Sequence, residues 1–190
     1  MNVSLFFICG LHTCGKTTIL KKLEDDGEIV FRGSEIGKDL YYQRKFSTET
    51  AGEDIELEVA ELELKRDEEI ASLAGIAGIE TWHPGNMAYA AVRNPGILPV
   101  LRKKALASRL IERAFGVWIE IDTGEIRRRT QTFHGDEEWV CEFYSKINAQ
   151  LEGCFKMLGL WDRVTVVDGN QPVEAVIQDV RRILRGRSIF

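Results

Sequence analysis

Residues Gly10-Leu11-His12-Thr13-Cys14-Gly15-Lys16-Thr17 spell a complete GxxxxGK[ST] string. Those residue types at that spacing serve one kind of chemistry. Glycines let successive backbone N–H groups turn inward onto phosphate oxygens, a lysine reaches the β- and γ-phosphates, and a hydroxyl reaches Mg²⁺. Lys16 and Thr17 take the last two roles, and Gly10, His12, Thr13, Cys14, Gly15 and Thr18 line the phosphates. The string carries this meaning only between a strand and a helix. Residues 3–9, Val-Ser-Leu-Phe-Phe-Ile-Cys, are an apolar run of strand length, and after Thr17 apolar residues recur at 19, 20 and 23 with helical spacing. The helix that follows adds its positive N-terminal end. The expected ligand is a nucleoside triphosphate, with ATP and Mg²⁺ as cofactors.

The remaining elements must carry a partner for that loop. A short strand is expected at 28–31 and a small-residue loop at 32–37, then helices at 38–46 and 52–72. The second of these is so dense in alternating acids and bases that its charges read as a solvated face with i,i+4 pairs. Strands follow at 74–80, 117–122 and 164–168. Helices are expected at 84–92, at 99–115 (a basic one opened by Pro99), at 123–129, at 136–160 and at 172–184, with a break at 130–135. Strands alternating with helices make an α/β sandwich around a parallel sheet of about five strands, with helices on both faces. Ligands in such sheets sit outside the carboxyl ends of the strands, so Glu80, Asp122 and Asp168, which end strands, all point to the nucleotide edge. One of them is expected to assist the metal; Glu80 is favoured and Asp122 competes.

A chain of 190 residues with 44% hydrophobic content reads as one domain over 1–190. A net charge of −5 and a pI near 5.4 argue against a general nucleic-acid or anionic-membrane binder. The cysteines Cys9, Cys14, Cys141 and Cys154 form no CxxC pair, so reduced thiols and a cytoplasmic location are expected. No basic n-region precedes the first apolar run, which is too short for a signal peptide, and no stretch approaches the ~20 apolar residues that span a bilayer.

Three separated segments resemble the thymidylate kinase-like branch of the P-loop nucleoside monophosphate kinases. They are the phosphate loop, the stretch Glu80-Thr81-Trp82-His83-Pro84-Gly85-Asn86-Met87-Ala88-Tyr89, and the region from Trp118 onward. The last holds Ile126-Arg127-Arg128-Arg129, the pair Phe143-Tyr144, and Val166-Val167-Asp168-Gly169-Asn170-Gln171-Pro172. The resemblance implies a P-loop NTPase three-layer sandwich with a small lid around 127–137. It implies that Arg128 and Arg129 serve the transferring phosphoryl group, that Gln171 and Pro172 border the adenine, and that Glu35, in the 34–37 loop, faces the acceptor. Arg66 is the counterpart of an acceptor-phosphate arginine, with solvated helix surface as its other reading. Trp82 and His83, in a Pro-Gly loop, are candidates to stack on or donate to the acceptor, and Glu80 to assist the metal or take the acceptor's proton.

Departures from the family fall on the acceptor side. His12 replaces an aspartate, Glu80-Thr81 replaces an Asp-Arg pair, and Cys9 stands where a glutamate is common. The expectation is therefore an ATP-dependent kinase of a nucleoside monophosphate or nucleoside, with dTMP a poor acceptor and homodimerisation left open. The alternatives are a kinase of a non-nucleotide small molecule and a regulatory nucleotide-binding protein. Neither an Asn-Lys-x-Asp guanine motif nor an Asp-x-x-Gly after a strand is present, which argues against a GTPase.

Overall fold

The computed structural model describes residues 3–44, 51–129 and 137–187. The apolar run at the start of the chain becomes β1 (Ser4–Gly10), whose side chains from Leu5 to Cys9 are all buried. A strand covered on both faces belongs in the middle of a sheet. It pairs in parallel with β3 (Ile76–Glu80) on one side and β4 (Ala114–Glu120) on the other. β2 (Phe31–Gly33) and β5 (Val164–Asp168) complete the order β2-β3-β1-β4-β5, every pair parallel.

Parallel neighbours require helical crossovers. These are α1 (Lys16–Asp25), α2 (Ile36–Arg44), α3 (Glu53–Ile70), α4 (Trp82–Arg93), α5 (Leu98–Leu106), α6 (Thr123–Arg129) and α7 (Glu137–Met157), and α8 (Val173–Arg187) follows the last strand. α1 and α8 cover one face of the sheet; α4 and α7 cover the other, with α3 and α5 packed outside α4. The carboxyl ends of the strands therefore share one edge, where the phosphate loop, residues 33–35, 80–82, 120–122 and 168–170 meet. Among the described residues no helix is long and apolar enough to cross a membrane.

Several boundaries differ from the sequence reading. The strand expected at 28–31 lies at Phe31–Gly33, because Glu28 N–H still closes the end of α1 on Leu23 O (2.9 Å) and Ile29 turns into the core. α4 starts at Trp82, not at Pro84. The basic helix expected to run to 115 stops at Leu106. There the Ser108 hydroxyl accepts the Leu110 N–H (3.2 Å) and donates to the buried Asp67 (2.5 Å), so the chain turns and enters β4 at Ala114. α3 carries the solvated face expected of it, with Glu53, Asp54, Glu61, Lys65, Glu68 and Glu69 exposed, but not all of its acids lie on that face. Glu56, Glu63 and Asp67 are 3%, 0% and 2% exposed, on the same stripe as Val59, Ala60 and Ile70.

Candidate active site

The phosphate loop begins where β1 ends. Gly10 has φ 146°, and a Cβ there would stand 2.5 Å from Ile119 O and 2.7 Å from Cys14 Sγ, so only glycine lets the loop leave the sheet at this point. Thr13, at φ 65°, continues the curl, and its Oγ1 is buried without a partner among the described residues. Lys16 lies along the inside of the loop, its Nζ donating to Gly10 O (3.0 Å) and Leu11 O (3.1 Å). Burial opposes its charge, but Cys14, Glu35 and Glu80 outweigh it and raise the pKa, so the residue is an ammonium.

Two carboxylates face this ammonium from opposite sides. Thr17 Oγ1 donates to Glu80 Oε2 at 2.8 Å. Burial raises the Glu80 pKa, against the Thr17 hydrogen bond and Lys16. Glu35 Oε2 lies 3.9 Å from Lys16 Nζ and accepts the Thr81 hydroxyl at 2.8 Å. One turn of chain separates the two roles. Thr81 and Trp82 both hold left-handed φ values, 66° and 50°, at about 1–3 kcal/mol each. The turn is held by Thr81 N–H on Ile8 O (2.8 Å) and by the Cys9 thiol on Thr81 O (3.0 Å). Burial pushes the Cys9 thiol pKa far up, so it stays neutral.

Thr17 and Glu80 offer a hydroxyl and a carboxylate, hard oxygen donors that suit Mg²⁺, which keeps waters and phosphate oxygens as its other ligands. Among the described residues no group of three or more His, Cys, Asp or Glu gathers at one point. The competing acids are engaged elsewhere. Asp122 Oδ1 caps α6 through Glu125 N–H (2.7 Å), and Asp168 Oδ1 accepts Asn170 N–H (2.9 Å).

An aromatic surface leads away from the loop. The exposed His12 ring stacks on Tyr144 with centroids 5.9 Å apart and planes 12° apart. Tyr144 adjoins Phe143, which packs on Trp139 (5.3 Å) and Tyr89 (6.5 Å). Partial desolvation, then the Lys16 charge, lower the His12 pKa below the ordinary 6.5. Because the folded chain binds this proton less tightly than the unfolded chain, the His12 contribution to stability is present at neutral pH and is lost as pH falls through 6.5 and below. NMR titration of the ring is expected to give a midpoint below 6.5 in the native protein, rising in Lys16→Ala; an unchanged midpoint in that variant would remove Lys16 as a cause.

Trp82 and His83 are not acceptor ligands. They are 0% and 3% exposed in the first turn of α4, with Trp82 Nε1 donating to Asp67 Oδ1 (3.0 Å) and His83 Nε2 at 3.0 Å from Asp67 Oδ2. With Ser108 on the same oxygen, one buried carboxylate serves three groups. Asp67→Ala strands all three at once. The expected cost is at least about 3 kcal/mol, read as a fall in the urea midpoint at unchanged slope. A loss under about 1 kcal/mol would mean that the cluster is satisfied in other ways.

Arg66 is not on an open surface: Nη2 pairs with the buried Glu63, Nη1 donates to Ser34 O at 2.6 Å, and Nε is buried without a partner among the described residues. Arg93 is likewise engaged, binding Glu56 through Nε (2.8 Å) and Nη2 (3.1 Å). Lys38 lowers the pKa of both His12 and Glu80 and forms no ion pair among the described residues.

On the opposite side of the loop, Arg128 and Arg129 both bind Glu125, the first through Nε at 2.7 Å, and hold its carboxyl at about 2. Arg129 Nη2 also donates to Gly169 O (2.6 Å), which ties α6 to the 169–171 loop. Gln171 donates to Asp179 (2.8 Å), and Pro172 is exposed beside it. The lid expected around 127–137 falls largely on 130–136, outside the described residues.

The sequence reading missed three working parts: the Thr81 hydroxyl on Glu35, and Glu63 and Asp67 behind the site. A signal for the last two existed, since 56, 63 and 67 recur at i, i+7 and i+11 on one helical stripe shared with apolar residues.

Strand order, phosphate loop and flanking helices together define an α/β fold of five parallel strands with a phosphate loop after the first. Two solved structures share it: a NadR protein in complex with NR (TM-score 0.75, 15% identity, 99% of this chain) and a NadR protein in complex with NAD and AMP-PNP (TM-score 0.67, 13% identity, 94% of this chain). The chain spans about half the length of each, 51% and 49%. No family model matches the sequence, and no curated protein matches it either.

Proposed function

We propose that this chain is an ATP-dependent kinase of a nucleoside-type hydroxyl. The observation that carries the reading is the pair of carboxylates around Lys16, Glu80 on Thr17 and Glu35 across the loop. ATP lies with its phosphates on the backbone N–H groups of residues 10–17, and Lys16 neutralises charge on the β- and γ-phosphates. Thr17 and Glu80 would hold Mg²⁺, which would supply positive charge to offset that of the phosphates. Glu35 accepts the proton of the acceptor hydroxyl, whose oxygen bonds to the γ-phosphorus as the bond to the β–γ bridging oxygen breaks. ADP and a phosphate monoester leave. The aromatic surface of His12, Tyr144 and Phe143 offers a flat apolar wall to the acceptor's ring.

Charge favours a neutral acceptor over a nucleoside monophosphate. Arg66 and Arg93 are each committed to a buried glutamate, and an anion about 4 Å from Glu35 costs about 4 kcal/mol at an effective dielectric of 20. Lys38 alone does not reproduce a guanidinium clamp. The ligands of the NadR structures, NR in one and NAD with AMP-PNP in the other, support nucleotide binding on this scaffold. The thymidylate kinase-like motifs support its ATP side.

The test is a panel of nucleosides (NR included), nucleoside monophosphates (dTMP included) and sugars, scored for ADP release above the no-acceptor background. A nucleoside is expected to lead and dTMP to trail it by at least about tenfold, the worth of one charge-assisted phosphate contact. A sugar in the lead would move the acceptor out of the nucleosides. ATP binding with no acceptor-stimulated release would leave a regulatory nucleotide-binding protein.

A further inference from the structure

We infer that Arg66 is a positioning residue for Glu35, holding the 33–37 turn from behind and never touching a ligand. The inference rests on the reading of Glu35 as the acceptor-side base. β2 is three residues long and ends at Gly33, so no strand ladder holds Ser34 and Glu35. Arg66 supplies the missing hold, with Nη1 on Ser34 O at 2.6 Å.

Two of the three guanidinium nitrogens are held, Nη1 and Nη2. Nη2 pairs with Glu63, whose Oε1 accepts the Asn86 amide at 3.0 Å, so the anchor runs from α3 into α4. Gly33 makes the slot: a Cβ there would stand 3.0 Å from Arg66 Nη1 and 3.2 Å from Ile79 Cγ1. On its other side the turn is pinned by Ser34 Oγ, which donates to Asp39 Oδ2 at 2.5 Å, and by Asp39 N–H on Glu35 O at 3.1 Å. Neutralised by Glu63, Arg66 brings little net charge to a ligand. Its geometry sets where one carbonyl sits, one residue before the carboxylate.

The same face of α3 controls the other end of the Thr81–Glu35 hydrogen bond. Asp67, the next residue, fixes Trp82 and so the left-handed turn that presents Thr81 Oγ1 to Glu35. Arg66 and Asp67 together hold donor and acceptor in register.

The test compares Arg66→Lys with the double variant Glu63→Gln plus Arg66→Met, which removes both charges and avoids a stranded buried carboxylate. Amide hydrogen exchange at Asp39, whose N–H bonds to Glu35 O, is expected to speed up at least tenfold in both, with 10–17 unchanged. With the nucleoside that leads the panel, kcat is expected to fall tenfold or more in the double variant while the KM for ATP stays within twofold, and Arg66→Lys is expected to recover part of the loss. Exchange within twofold of the native protein would overturn the inference, as would faster exchange with unchanged kcat. A raised acceptor KM at unchanged kcat would return Arg66 to direct acceptor binding. If the native protein phosphorylates nothing in the panel, the kinase reading fails separately, and exchange at Asp39 still decides whether Arg66 holds the turn.

Discussion

Lys16→Ala is expected to reduce phosphotransfer at least a hundredfold while leaving the circular dichroism spectrum and the cooperative unfolding transition intact. The ammonium is the one cation that lies inside the phosphate loop, 3.0 and 3.1 Å from the Gly10 and Leu11 carbonyls and 3.9 Å from Glu35. A preorganised charge aimed at oxygens that gain charge in the transition state contributes about 2.7–4 kcal/mol, hence the hundredfold or more. The fold depends on it little, because β1 and the apolar face of α1 do not involve the ammonium, and its bonds to the Gly10 and Leu11 carbonyls stay within the loop. Removing it also leaves Glu35 and Glu80 facing each other without a counter-charge, so ATP affinity falls along with kcat. Turnover within threefold of the native rate in a folded variant would end the P-loop kinase assignment.

Glu35→Gln is expected to lower kcat by about 10²–10⁴, the range of a positioned general base, with the KM for ATP little changed. The substitution is gentle on geometry, since the glutamine carbonyl can still accept the Thr81 hydroxyl that now sits 2.8 Å from Oε2. Only the capacity to take a proton is lost. Glu80→Gln is the matched control. Its expected signature is a raised requirement for Mg²⁺, because Glu80 is bound to Thr17 and not to Thr81. If Glu35→Gln turns over at the native rate while Glu80→Gln does not, the acceptor's proton goes to Glu80 and Glu35 is a structural acid.

How far each part could be read in advance follows from the range of the interactions. Backbone curvature at Gly10 and the side chains of Lys16 and Thr17 are local to eight residues, so the motif carried them whole. The alternation of apolar strands with helical spacing carried the parallel sheet, and with it the edge where strand-end acids collect. Glu80 was legible because it ends an apolar run. Thr81 was legible only as a missing arginine. Its partner Glu35 is 46 residues away, and no spacing rule joins them. Trp82 and His83 misled for the same reason: beside a strand-end acid they resemble ligands, but Asp67, 15 and 16 residues earlier, takes their polar atoms into the core.

The sequence by itself determined a phosphate loop between β1 and α1, an α/β sheet of five strands and a set of acids at its carboxyl edge, because backbone geometry and hydrophobic period are written within a few residues. Tertiary structure alone decided which acid meets Thr17, which meets Lys16, and that Glu56, Glu63 and Asp67 of the charged helix α3 face inward. A glutamate on a helix has the same local signature whether water or a guanidinium satisfies it. The difference lies in what packs against it, Arg66 for Glu63 and Arg93 for Glu56, and that is settled only when α3 docks on α4 and excludes the water.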